Sequence, residues 1–184
     1  MNLVTTAPAW LLVILALLLA AAAIEDATRL RISNLTCAGV LVAALVAMGF
    51  AGFPGGLWQN SLLFAALLFG GMFLFGAGKI GGGDVKLLAV IGLWVDLRAG
   101  LWLIISVALA GGVLAILYLL ARAALRKRRQ RAGKEDRKGA GIPYGLAIVT
   151  GAAFVFATQL GWPGSKPARP DPLSIPGLPP VQRS

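Results

Sequence analysis

Two aspartates stand at the edges of apolar runs and are the residues best placed to do chemistry. Asp26 follows the first run, and Asp84 sits in the stretch Gly81-Gly82-Gly83-Asp84-Val85-Lys86, between two later ones. An acid beside an apolar segment is expensive to place and usually has a task. The glycines ahead of Asp84 let the backbone reach conformations closed to other residues and let a neighbouring segment approach. Two carboxyls in hydrogen-bond reach share one proton, because ionising both together is unfavourable. The ionised one takes a proton from water, which attacks a carbonyl; the protonated one polarises that carbonyl and later protonates the leaving amine. Such a pair cleaves a peptide bond without metal or organic cofactor, and neither is expected here.

The helix ends suggest a division of labour. Asp26 ends one apolar helix, where the dipole disfavours negative charge, and Asp84 starts another, where it favours it. Asp84 is then the ionised base and Asp26 carries the proton, although the pair titrates jointly. Plainer readings exist for each residue. Asp26 could pair with Arg29 or Arg31 as an interfacial acid, and Asp84 could be a helix N-cap. Lys86 is expected to snorkel its ammonium to the interface. Lying two residues from Asp84, it does not share that residue's helix face. Glu25 reads as a solvated neighbour, and Tyr144 as an interfacial aromatic.

Other chemistries are excluded by count. Cys37 is the only cysteine, and histidine is absent. Intramolecular disulfides, Cys/His zinc sites and Ser–His triads are therefore out of reach.

The elements that must position the acids are apolar. Of 184 residues, 58% are hydrophobic and 13% charged, against roughly 25% charged in soluble domains. The runs predict an all-α polytopic membrane protein of about six spans. They cover 7–24, 35–53, 57–78, 85–95, 101–120 and 142–160. The first could be misread as a signal peptide, but no Lys or Arg precedes it. Residues 25–34 form a polar connection in which Asn34 is placed to cap the second span. The fourth run, only 11 residues, is about 16 Å long as a helix, short for a core of about 30 Å. It either crosses and ends at Asp96 or dips and returns; a crossing is favoured. Residues 1–160 read as one membrane-embedded domain with a basic loop at 121–141. Residues 161–184, rich in Pro, Ser and Gly, read as a disordered tail. No internal repeat is visible.

Charge sets the orientation. The net charge is +10, and nine of the 17 basic residues lie between Arg122 and Lys138. No aromatic residue interrupts that stretch, so nucleic acid is not the expected partner; topology and anionic lipid are. Arg29, Arg31, Lys79 and Lys86 lie in the other connections on the same side. That side is assigned to the cytoplasm, with the N-terminus outside, and it carries both Asp26 and Asp84.

These residues resemble a known family. Gly81-Gly82-Gly83-Asp84 with Lys86 resembles the GxGD motif of membrane aspartyl proteases. Asp26 with Arg31-Ile32-Ser33-Asn34 resembles the D…RIPN element of prepilin peptidases, and Ile142-Pro143-Tyr144-Gly145 resembles their late IPYG motif. The apolar part follows the six-helix plan of the short, tight-adherence (Flp) pilus type. The resemblance implies catalytic Asp26 and Asp84, with support from Gly81, Gly83, Lys86, Pro143, Tyr144 and Gly145. It implies a prepilin or pseudopilin substrate cut at the cytoplasmic face of a bacterial inner membrane. Ser33 stands where the family element usually has proline, which would loosen the start of the second span. The cysteine-bearing insertion of the larger, N-methylating members has no room here, so peptidase activity without methylation is expected. Two other classes compete: a small proton-coupled transporter or channel, and a non-catalytic pilus or secretion assembly subunit. The first would place its acids near the midplane, often with a repeat; the second predicts that Asp26→Asn and Asp84→Asn are silent.

Overall fold

The computed structural model describes residues 1–52, 55–78, 80–131 and 144–161. Every regular element among them is a helix: α1 Leu3–Thr6, α2 Ala9–Arg29, α3 Asn34–Phe50, α4 Leu57–Gly76, α5 Gly82–Gly92, α6 Leu97–Arg131 and α7 Tyr144–Gly161. Helices α2, α4, α6 and α7 are long and apolar enough to cross a bilayer. Helix α3 has 17 residues and α5 has 11. Large apolar side chains such as Leu17, Phe73, Leu109 and Leu120 cover the outside. A surface of that kind suits lipid, where helices satisfy their own backbone. The chain is an all-α polytopic membrane protein.

Helix α5 lies at the centre, packed on α3, α4 and α7. Val85, Leu87, Ala89, Val90 and Ile91 are all buried, as expected of a helix that is apolar all round beyond Lys86. Val85 sits against Gly71 of α4, while Gly92 and Gly100 sit against Leu63. Helix α5 therefore runs antiparallel to α4. Its far end is held by Asn60, whose side-chain amide donates to the Leu93 carbonyl at 2.8 Å and the Val95 carbonyl at 3.0 Å. The last carbonyls of a helix have no partner within it, and Asn60, fully buried, supplies one from α4. Asp96 then starts the next helix: its Oδ1 accepts from the Ala99 N–H at 2.8 Å, an N-cap. The polar interruption of the apolar run is thus a helix junction.

The remaining helices frame this centre. Helices α6 and α7 are antiparallel, with Val107 against Gly151 and Gly111 facing Ala147. A Cβ on Gly151 would lie 2.7 Å from the Val107 backbone nitrogen, so the two backbones touch, as small residues allow in membranes. Helices α2 and α3 are antiparallel too, Trp10 and Phe50 meeting edge-on with centroids 5.8 Å apart. The short α1, absent from the sequence reading, tucks under the end of α5, where the Leu3 N–H donates to the Trp94 carbonyl at 2.9 Å.

Several boundaries differ from the sequence-based ones. Helix α2 continues to Arg29, so the connection to α3 shrinks to residues 30–33, turned by Leu30 in the left-handed region (φ 52°). The cap of α3 is Ser33, not Asn34; its side chain accepts from the Thr36 N–H. The expected basic loop is helical over its first half. Helix α6 runs unbroken through residue 131 and carries six of the nine clustered basic residues. Residues 132–143 and the tail 162–184 lie outside the described residues.

Candidate active site

Four helix ends meet at one end of the bundle: the end of α2 and the starts of α3, α5 and α7. On α2 the buried positions are Leu11, Leu15, Leu19, Ala22 and Asp26. Steps of three and four residues make one inward stripe, and Asp26 is its last member. On α5, Asp84, Leu87 and Ile91 share a buried face in the same way. Asp26 is 3% exposed and Asp84 8%, and Ile32 lies against both Gly83, next to Asp84, and Gly145, beside Asp26.

Each carboxyl also meets backbone N–H groups. The Leu146 N–H donates to Asp26 Oδ2 at 3.1 Å, with the Gly145 N–H beside it. Both belong to the first turn of α7, where N–H groups lack helical partners and the dipole is positive. The Gly81 N–H acts on the Asp84 carboxyl. Gly81 is the N-cap of α5 and Asp84 its third residue, so Asp84 reaches back over the helix start, as an acid at the third position of a capping box does. Asp84 is therefore not itself the N-cap. Asp26 binds a helix start rather than Arg29 or Arg31, which are exposed; among the described residues it has no ion-pair partner.

Three glycines allow these approaches. A Cβ on Gly145 would lie 2.9 Å from both Cβ and Cγ of Asp26 and 2.8 Å from Ile32 Cδ1. One on Gly83 would lie 3.1 Å from the Ile32 carbonyl oxygen, and one on Gly81 2.8 Å from Asp84 Oδ2. Ile32, itself buried, thus fills the space between the starts of α5 and α7. Cys37 is buried behind them, its Sγ 3.9 Å from the Gly83 carbonyl.

The supporting residues fall in different places. Lys86 is exposed and donates to Asn34 Oδ1 at 2.9 Å; it links α5 to α3 and leaves Asp84 alone. Tyr144 is the exposed first residue of α7. Pro143 lies outside the described residues. Glu25, expected as a solvated neighbour, is partly exposed and in addition accepts from the Ser33 N–H at 2.8 Å and from the Thr36 hydroxyl at 3.0 Å. Ser33 therefore fastens the start of α3 instead of loosening it. The sequence placed Ile32 in the Arg31-Ile32-Ser33-Asn34 element and Glu25 beside Asp26 but showed no partner for either, since these contacts exist only once the turn at 30–33 has formed. The Leu146 N–H is invisible in principle, being backbone.

Compared with known protein families, residues 13–118 match the type IV leader peptidase family. That is more than half of the chain. The chain belongs to the type IV leader peptidase family. It is therefore a membrane protease of the leader-peptidase type. No curated protein and no solved structure matches it. The family match contains both Asp26 and Asp84 and ends within α6. Helix α7 lies beyond it, yet its first turn supplies the hydrogen bond to Asp26.

Proposed function

We infer that the chain is an aspartyl endopeptidase that removes the leader of prepilins or pseudopilins, with Asp26 and Asp84 as its catalytic pair. Two buried carboxyls, brought from α2 and α5 to the same end of the bundle, carry this reading. With one proton between them, the ionised carboxyl takes a proton from water as the water oxygen bonds to the scissile carbonyl carbon. The protonated carboxyl donates to the carbonyl oxygen. On collapse the C–N bond breaks, the new carboxyl product keeps the water oxygen, and the amine leaves protonated. The helix ends no longer assign the roles. Asp26 lies in the last turn of its own helix but faces the start of α7, so both carboxyls sit at the positive end of a helix.

Charge supports a cytoplasmic site. Arg29, Arg31 and Lys86 are exposed at this end, and the basic end of α6 lies on the same side, because α6 runs antiparallel to α7. Excess Lys and Arg marks cytoplasmic connections, and this cluster suits anionic lipid. A helix of 35 residues is about 50 Å long and outruns a core of about 30 Å, so its basic end projects past the bilayer. The substrate is then an apolar pilin helix cut beside its cytoplasmic end. With only residues 30–33 between α2 and α3, a methyl-transferring insertion has no place there, and we assign peptidase activity alone.

The test is cleavage of a co-expressed prepilin by wild type, Asp26→Asn and Asp84→Asn, read as a gel shift at matched protein levels. Cleavage by wild type and by neither variant is expected. Cleavage by both variants would make the acids structural and overturn the mechanism.

A further inference from the structure

The partly exposed Glu25 carboxylate is hydrogen-bonded beside the catalytic end without touching either aspartate. Its Oε2 accepts from the Ser33 N–H at 2.8 Å, and its two oxygens each lie 3.0 Å from the donating Thr36 hydroxyl. Ser33 Oγ accepts from the Thr36 N–H at 3.1 Å and lies 2.9 Å from the Thr36 hydroxyl. Thr36 is buried. These bonds fasten the last turns of α2 to the first turn of α3, across a reversal that opens with Leu30 at a φ of 52°. Residues with a Cβ avoid that conformation, so the reversal needs holding from outside.

Ile32 is the centre of that reversal. Its carbonyl and Cβ lie against Gly83, two residues into α5 and next to Asp84. Its Cδ1 lies against Gly145, whose neighbour Leu146 hydrogen-bonds Asp26. One side chain therefore touches the segment that places Asp84 and the segment that holds Asp26.

We propose that Glu25 is a positioning residue: by clamping Ser33 and Thr36 it holds Ile32 between α5 and α7 and so sets the spacing of Asp26 and Asp84. The proposal rests on reading those aspartates as the catalytic pair. It assigns Glu25 a hydrogen-bonding task rather than an acid–base one, because its oxygens accept from Ser33 and Thr36 and bond neither aspartate.

The experiment uses the full chain in lipid nanodiscs with a purified prepilin, and reads kcat and KM separately. Glu25→Ala lowers kcat roughly ten- to hundredfold with KM unchanged, the scale that misplacement of reacting groups produces. Glu25→Gln retains activity, since its single amide oxygen can take the place of Oε2, which accepts from both the Ser33 N–H and the Thr36 hydroxyl. Thr36→Val lowers kcat in the same direction, and its effect does not add to that of Glu25→Ala. A second readout is independent of catalysis. Cys37 is the only cysteine, buried against Gly83. Its alkylation by N-ethylmaleimide accelerates in Glu25→Ala and Thr36→Val, as local opening exposes it, and stays slow in Glu25→Gln.

The outcomes separate the two readings. If Asp26→Asn and Asp84→Asn are inactive while Glu25→Ala keeps wild-type kcat, the clamp is refuted and the catalytic pair stands. If Glu25→Gln is as inactive as Glu25→Ala with Cys37 still protected, Glu25 acts through its charge and the positioning role is refuted. If the aspartate variants stay active, the catalytic reading falls. The clamp is then decided by alkylation alone: acceleration in Glu25→Ala supports it, and an unchanged rate overturns it. Where Glu25→Ala does not fold, Thr36→Val answers the same questions.

Discussion

Replacing Gly145 by alanine tests the site at one atom. The new Cβ would stand 2.8 Å from Ile32 Cδ1 and 2.9 Å from Cβ and Cγ of Asp26. Carbon atoms pack at about 3.5 Å or more, so α7 and the end of α2 must part by about 0.6 Å. The Leu146 N–H now reaches Asp26 Oδ2 at 3.1 Å. The same displacement carries it to about 3.7 Å, beyond hydrogen-bond range. Two stability effects oppose each other. Alanine favours the helix over glycine by up to about 1 kcal/mol, and overpacking costs about 1–3 kcal/mol. The net loss of stability is at most about 3 kcal/mol, whereas misplacing a reacting carboxyl costs roughly hundredfold in rate. Gly145→Ala should therefore accumulate in the membrane and cleave about a hundredfold more slowly. Gly112→Ala on α6, where an added Cβ meets nothing within 4 Å, is the control and should match wild type. The assay is prepilin cleavage under single-turnover conditions at equal enzyme abundance. A Gly145→Ala rate within about twofold of wild type would refute the packing argument. So would a loss that merely tracks reduced abundance.

Three further outcomes are expected. Asn60→Leu leaves the buried Leu93 and Val95 carbonyls without their donor. That should cost about 1–3 kcal/mol, seen as a lower thermal midpoint in detergent; an unchanged midpoint would show that Asn60 does not hold the end of α5. Lys86→Ala removes only an exposed link to Asn34, and pairs of that kind contribute little; activity should stay within a few-fold, and a large loss would give Lys86 a part in catalysis. The pH dependence of kcat should be bell-shaped, falling on the acid side where both carboxyls are protonated and on the alkaline side where both are ionised. A profile with a single limb would contradict a shared proton.

The sequence by itself determined the membrane class, the all-α architecture and the two acids worth watching. These are legible because they depend on composition and run length, and because a carboxylate at the edge of an apolar run is costly wherever it lies. The glycines before Asp84 were legible too, as a place of close approach, although not what would approach. Boundaries were less so. Helix α2 runs past Glu25 and Asp26 to Arg29, and α6 runs through basic residues that read as a loop, because polar residues with good helix propensity continue a helix once it has begun. Asn60, between Gln59 and Ser61 near the start of α4, gave no sign of its partners at the end of α5. Tertiary structure alone decided that α7 offers its first N–H groups to Asp26, that Ile32 fills the space between Gly83 and Gly145, and that Glu25 holds the turn carrying it. These pairings join residues far apart in the chain or use backbone groups common to every residue. Only the folded arrangement of four helix ends gives them partners.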